Sequence, residues 1–397
     1  MPRLSCQSQM KEVLAKYFGS LTSPLAWCTS AGPAEILRAL GFQVYFPENH
    51  GAMLGSSRLA QKYIPEANKV GYSNEVCSYL TSDIGAWLVK ETPLAEAYGL
   101  SSIPKPDLIV FSTNQCREVA EWFNYYGREF ACPVFGIFPP RYLEEVTSDH
   151  LENVAAQFRG LIEVGEQVIG RKLDPARLRE TVDLSREGTL LWNQVLATAK
   201  QHPAPLTFFD ATILMAPIVM LRGTCECVSF YKSVLAELRI LSARGEGAVP
   251  RESTRLYWEG MPIWGRLRSL SDLFTENQAA VVASTYCNSW IFNQLDPDRP
   301  LVSLARAYTE IFINRGEGAK FAYLKRMLAD FDVNGIIFHD AKTCFNNTNN
   351  RFALPFRLQE ETGVSTLTVD GDLNDLRFFS DGRTRTKIET FVAQLAT

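Results

Sequence analysis

Nine cysteines and only four histidines (His50, His150, His202 and His339) limit the chemistry open to this 397-residue chain. Imidazole is scarce, so any metal site must be built mainly from sulfur. An odd number of widely dispersed cysteines argues against a disulfide framework. Three of them stand where loops would gather them. Cys116 follows the apolar run LIVFSTN (108–114) and begins a helical pattern, and Cys344 follows IIFHDAKT (336–343) in an equivalent place. Cys77 lies in GYSNEVCSYLTSDIGAW (71–87), a polar turn entering a helix. Amide donors at a helix start favour a thiolate and hydrogen-bond its sulfur, as ligation of a cluster requires. Each cysteine taken singly reads as a small packing residue. Two cysteines after equivalent strands point to metal ligation, with Cys287, which follows the run AAVVAST, as the reserve ligand. The Cys225-x-Cys227 pair stands alone at an apolar helical start and reads as packing.

Two polar groupings offer proton chemistry. Glu48 and His50 share the loop FPENHGAM (46–53) at the exit of a strand, where both are candidate proton carriers. In WCTSAGP (27–33), Thr29 and Ser30 precede Pro33, so their hydroxyls either cap a helix or meet a ligand. RGEGAK (315–320) lacks the G-x-x-x-x-G-K-[ST] pattern, and no G-x-G-x-x-G follows a strand, so ATP or NAD binding by this chain is not expected. The loop DGDLNDLRFFSDGRTR (370–385) reads as a solvated charged turn, and Asn346-Asn347-Thr348 is formally a glycosylation sequon.

The elements that must position these residues follow from apolar periodicity. Residues 1–20 predict an N-terminal helix. Residues 21–143 predict a first α/β domain, with strands in QVYFP, PDLIVFST and CPVFGIFPP and a helix QCREVAEWFNYYG ending at a glycine. Residues 144–250 carry helical periodicity only. Residues 251–397 return to alternation, with strands TRLYWEG, AAVVAST, NGIIFHD and VSTLTVDG. The fold class is therefore α/β, with two doubly wound parallel-sheet domains joined by a helical region and a cleft between their loop mouths. No internal repeat is visible. The composition is 46% hydrophobic and 21% charged, that of a globular protein, and the net charge of -4 gives no field for nucleic acid or anionic lipid. With no run of about 18 apolar residues and no signal-peptide pattern, no membrane span is expected, and the expected location is cytoplasmic.

Five ordered segments resemble the benzoyl-CoA reductase and 2-hydroxyacyl-CoA dehydratase subunits. They are SAGPAEILRALGFQVYFPENHGAMLG, GYSNEVCSYLTSDIGAW, FSTNQCREV, IIFHDAKTCFNNTNNRFALPFRLQEETGV and TLTVDGDLNDLRFFSDGRTRTKIETFVAQL. The resemblance implies a [4Fe–4S] cluster between two α/β domains, held by three cysteines at the positions of Cys77, Cys116 and Cys344. It also implies that Ser30 lines the substrate site; Ser30, Glu48 and His50 are together the candidates for proton delivery or thioester contacts. PENHGAM and the segment after Cys344 look most like the smaller cluster-bearing subunit of ATP-dependent benzoyl-CoA reductases, although Phe345 stands where those read proline. The implied reaction reduces an aryl-CoA ring through a ketyl radical anion on the thioester. The implied partners are a sister cluster-bearing subunit, an ATP-hydrolysing iron–sulfur activator and ferredoxin. An (R)-2-hydroxyacyl-CoA dehydratase subunit is the alternative within the resemblance. A non-catalytic electron-relay subunit of such a complex is a further alternative, and a structural zinc site at the same cysteines is the alternative outside the resemblance.

Overall fold

In the computed structural model, residues 4–346 and 353–395 are described; most of the sequon and part of the segment after Cys344 lie outside them. Two four-stranded sheets, all parallel, carry the fold. The first holds β1 (Leu25–Cys28), β2 (Gln43–Tyr45), β3 (Leu108–Ser112) and β4 (Val134–Ile137) in the order β2-β1-β3-β4. The second holds β5 (Thr254–Glu259), β6 (Ala279–Ser284), β7 (Gly335–Ala341) and β8 (Ser365–Gly371) in the order β6-β5-β7-β8. The protein is thus an α/β fold with two domains. β1, β3, β5 and β6 are buried along their whole length, because helices cover both faces of a parallel sheet and the apolar residues run on without alternation. In each sheet the chain turns outward in opposite directions from the first strand, so a crevice opens at the carboxyl ends of β1/β3 and of β5/β7.

Helices join the sheets. Ser148–Ile169, Pro175–Ala197 and Cys225–Ala243 are the long ones, and among the described residues no strand interrupts them. Their starts are written in the sequence. Thr147 and His150 form a reciprocal capping box, and Asp174 accepts the amide of Ala176 ahead of Pro175. The N-terminal helix Cys6–Gly19 is tied to helix Cys225–Ala243, where Glu237 accepts the amides of Ser5 and Cys6, and to β2, where Tyr17 donates to the Val44 carbonyl at 2.6 Å.

One hydrophobic core runs through both sheets and the helices between them. At its centre a fully buried Arg222 meets both domains. Its guanidinium donates to Tyr308 Oη (2.8 Å), to the Val219 carbonyl (2.7 Å) and to the Gly32 carbonyl, and pairs with Glu35 at 3.3 Å. Glu35 also accepts from Ser185 and Tyr308. A buried pair this fully hydrogen-bonded fixes geometry more surely than it adds stability.

Three features depart from what the sequence predicts. The helix after WCTSAGP begins at Ala34, as expected, but neither Thr29 nor Ser30 caps it, and the strand Leu25–Cys28 ahead of it is not among the expected strands. Gly127 does not end its helix, which runs from Glu118 to Phe130; Ala131 takes the left-handed conformation there instead. The loop after β8 is not solvated throughout, since Asp372, Asn374 and Asp375 are all buried.

Candidate functional site

The crevices of the two sheets open into one cavity of about 1190 Å³. Cys77, Cys116 and Cys344 all line it, together with Ser30 and Glu48. Cys116 lies four residues beyond β3 and Cys344 three beyond β7, so the matching strand order of the two sheets delivers both thiols to the same space. Cys77 is the N-cap of helix Ser78–Leu88, where the nearby amides of Tyr79 and Leu80 oppose the rise of its pKa without capping hydrogen bonds to the side chain. The amide of Val119, in the first turn of its helix, opposes the rise at Cys116 in the same way. Burial pushes the Cys116 thiol well up, and the neighbouring Cys77, Glu118 and Cys344 push it further. The Cys77 thiol is raised in the same way, by burial and then by Cys344. Such thiols keep their protons until a metal displaces them.

Among the described residues, no group of three or more His, Cys, Asp or Glu side chains is arranged to hold a metal ion. The side chains that a cluster would need are nonetheless on the cavity, where three thiols and no imidazole are among the lining residues.

Glu48 ties two of the loops together. It accepts the amide of Ser30, at the exit of β1, and the side-chain amide of Gln115, next to Cys116. Burial raises its pKa above the ordinary glutamate value, although those hydrogen bonds and the Arg222 charge oppose the shift. The Ser30 hydroxyl is buried and has no hydrogen-bond partner among the described residues, an orphan on a cavity wall.

His50 belongs elsewhere. It is not among the cavity-lining side chains; Nδ1 meets Asp83 at 2.5 Å and Nε2 meets Thr92 at 2.9 Å. Asp83 accepts in addition from Trp122 and Tyr126, so His50 is a member of a buried network behind the site and has no nitrogen left for a substrate. Cys287 is also turned away, its sulfur 3.7 Å from Thr212 Oγ1, while its neighbour Tyr286 faces the cavity. The start of helix Glu317–Asp330, which holds the RGEGAK segment, is filled by Glu144, which accepts the amides of Gly318 and Ala319.

Sequence reasoning passes over Tyr79, Tyr286 and Trp264, all on the cavity wall, with Trp264 donating to the Tyr79 hydroxyl. Aromatic residues in apolar runs read as core. The one signal for Tyr79 is its position two residues after Cys77. The rest of the wall divides by character. Phe209, Ile213, Met215 and Val219 make an apolar side, and Arg58 and Arg268 bring positive charge.

Comparison with known proteins fits this arrangement. A sequence model of the family described as 2-hydroxyglutaryl-CoA dehydratase, D-component, matches residues 29–395. The chain is 27% identical over 369 residues to the (R)-phenyllactyl-CoA dehydratase alpha subunit of Clostridium sporogenes, covering 92% of this chain and 88% of that one. It is 27% identical over 372 residues to the (R)-2-hydroxyisocaproyl-CoA dehydratase alpha subunit of Clostridioides difficile (93% and 89%). It is 28% identical over 373 residues to a benzoyl-CoA reductase subunit of Thauera aromatica (90% and 85%). Of these relatives, two are dehydratase subunits and one is a reductase subunit. The chain belongs to the 2-hydroxyglutaryl-CoA dehydratase D-component family.

Proposed function

We propose that this chain is the cluster-bearing subunit of an (R)-2-hydroxyacyl-CoA dehydratase whose substrate has an apolar acyl group. The observation that carries this reading is the meeting of Cys77, Cys116 and Cys344 with Ser30 and Glu48 on one cavity that continues along an apolar wall. A [4Fe–4S] cluster held by the three cysteines would supply single low-potential electrons to the thioester. The chain's own residues do the rest. The partnerless Ser30 hydroxyl donates to the thioester carbonyl oxygen. Glu48, with its raised pKa, holds or takes up a proton beside it. Phe209, Ile213, Met215 and Val219 receive the acyl chain and exclude water. Arg58 and Arg268 answer the phosphates of coenzyme A. A sister subunit and an ATP-hydrolysing iron–sulfur activator fed by ferredoxin complete the enzyme, in keeping with the names of the relatives, which are those of single subunits.

Reduction of a benzoyl-CoA ring is the second reading. It is favoured by the likeness to the benzoyl-CoA reductase subunit and by the segment PENHGAM. The two separate by product. The chain, co-expressed anaerobically with its sister subunit and reduced through an activator, is given phenyllactyl-CoA, 2-hydroxyisocaproyl-CoA and benzoyl-CoA. Loss of water to an enoyl-CoA supports dehydration, and gain of two hydrogens by benzoyl-CoA supports ring reduction. Turnover that survives Ser30→Ala and Glu48→Gln unchanged puts the substrate on the partner and leaves this chain an electron relay.

A further inference from the structure

The fully buried carboxylate of Asp372 lies just past β8, behind the cavity and not on its wall. One oxygen accepts the amide and the hydroxyl of Thr343, each at 2.7 Å. The other accepts the Ser78 hydroxyl and the amides of Asn374 (3.3 Å) and Asp375 (3.2 Å). Ser78 and Thr343 are also joined directly, the Ser78 amide donating to Thr343 Oγ1 at 3.0 Å. Ser78 is the residue after Cys77, and Thr343 is the residue before Cys344. The two belong to different parts of the fold: Ser78 opens a helix between β2 and β3, and Thr343 follows β7.

We infer that Asp372 is a positioning residue that sets the spacing between the Cys77 and Cys344 thiols, and so the mouth that receives the cluster. This rests on the reading of those cysteines as cluster ligands. The Ser78 and Thr343 donors to the buried Asp372 come from two loops, each adjoining a thiol, so the carboxyl group joins these loops and those hydrogen bonds last only while the loops stay together. The third loop is tied to Glu48 through Gln115 and to the segment after Cys344 through Arg141, which donates to the Gln115 carbonyl and to Asn346 Oδ1, but none of the Asp372 bonds involves it, so the direct effect falls on the Cys77–Cys344 pair.

The test uses the full chain in two states. In iron-free protein, hydrogen exchange of the segments containing Ser78 and Thr343 is followed by mass spectrometry for wild type, Asp372→Ala, Thr343→Val and Thr343→Ser. Loss of bonds to a charged acceptor predicts that Asp372→Ala speeds exchange in both segments together by roughly tenfold or more. Thr343→Val does so to a smaller degree, and Thr343→Ser, which keeps the hydroxyl, matches wild type. Exchange in helix Cys225–Ala243 stays unchanged. After reconstitution with iron and sulfide, Asp372→Ala releases iron to a chelator at least roughly tenfold faster than wild type. Exchange that rises in one segment only, exchange that rises throughout the chain, or iron held as tightly as in wild type overturns the inference. A wild type that takes up no iron overturns the ligand reading itself, whatever the exchange data show.

Discussion

Arg222 is where the structure makes its largest energetic claim. Arg222→Ala removes one member of a fully buried ion pair and leaves Glu35 with only the hydroxyls of Ser185 and Tyr308. It also takes a donor from the carbonyls of Val219 and Gly32, the latter keeping the Ala34 amide, and empties the space of a guanidinium between Phe46 and Tyr308. Removing one partner of a buried pair costs about 3–5 kcal/mol, and the lost carbonyl bonds add toward the upper end of that range. Glu35→Gln leaves the guanidinium with hydrogen-bonding partners but no counter-charge, a loss of about 2–4 kcal/mol. In Arg222→Ala with Glu35→Gln neither charge remains, so the double variant should lose less than the sum of its single changes by about 2 kcal/mol or more. Urea unfolding followed by tryptophan fluorescence measures each protein; the buried Trp27, Trp122, Trp192 and Trp258 report from both sheets and the helical region. A loss below about 1 kcal/mol for Arg222→Ala, or additivity within about 0.5 kcal/mol, refutes the network as described. The network also reaches the site, because the Gly32 carbonyl it holds is two residues from Ser30.

Further outcomes are expected elsewhere. The raised pKa of Glu48 means that its proton stabilises the fold below the ordinary glutamate pKa of about 4.5, and that this contribution is lost as pH rises through the higher folded value. The unfolding free energy of Glu48→Gln relative to wild type should therefore grow with pH across that window, as denaturant titrations at successive pH values would show. His50→Gln breaks bonds to Asp83 and Thr92 and should lower stability by about 1–3 kcal/mol while leaving bound iron per folded chain unchanged. Gly85→Ala would drive a Cβ into the Tyr63 carbonyl oxygen, where backbone must move. It should lower the thermal midpoint, with about 1–3 kcal/mol of overpacking, and loosen iron, because Cys77 caps the helix that shifts.

Much of this arrangement is legible in the residues, for physical reasons. Strands buried on both faces announce themselves as short apolar runs. A cysteine a few residues past such a run can only arrive at the carboxyl edge of the sheet, so Cys116 and Cys344 can be brought together without coordinates. β1 escapes because Leu25–Cys28 is four residues long, with no alternation, and is followed by a Thr-Ser-Ala-Gly-Pro stretch that reads as a helix entry. The equivalence of the two sheets leaves no repeat in the sequence, since strand order is set by crossovers and not by matching side chains. His50 shows the limit in the other direction. Its neighbour in sequence, Glu48, faces the cavity, while the helical turn between them sends the imidazole into a pocket built by Asp83 and Thr92. Asp372 is hidden by its company, because a loop rich in Asp, Asn and Gly reads as solvated until packing shows which carboxylate turns inward.

The central claim is that Cys77, Cys116 and Cys344 hold one cluster. Anaerobic purification of the full chain with its sister subunit, followed by iron and sulfide analysis and EPR of the reduced protein, tests it for wild type, for Cys77→Ala, Cys116→Ala and Cys344→Ala, and for Cys287→Ala as a control. The account predicts a cubane signal in wild type that each of the three changes abolishes or reshapes and that Cys287→Ala leaves intact. A colourless wild type, or a signal indifferent to the three changes, would contradict it.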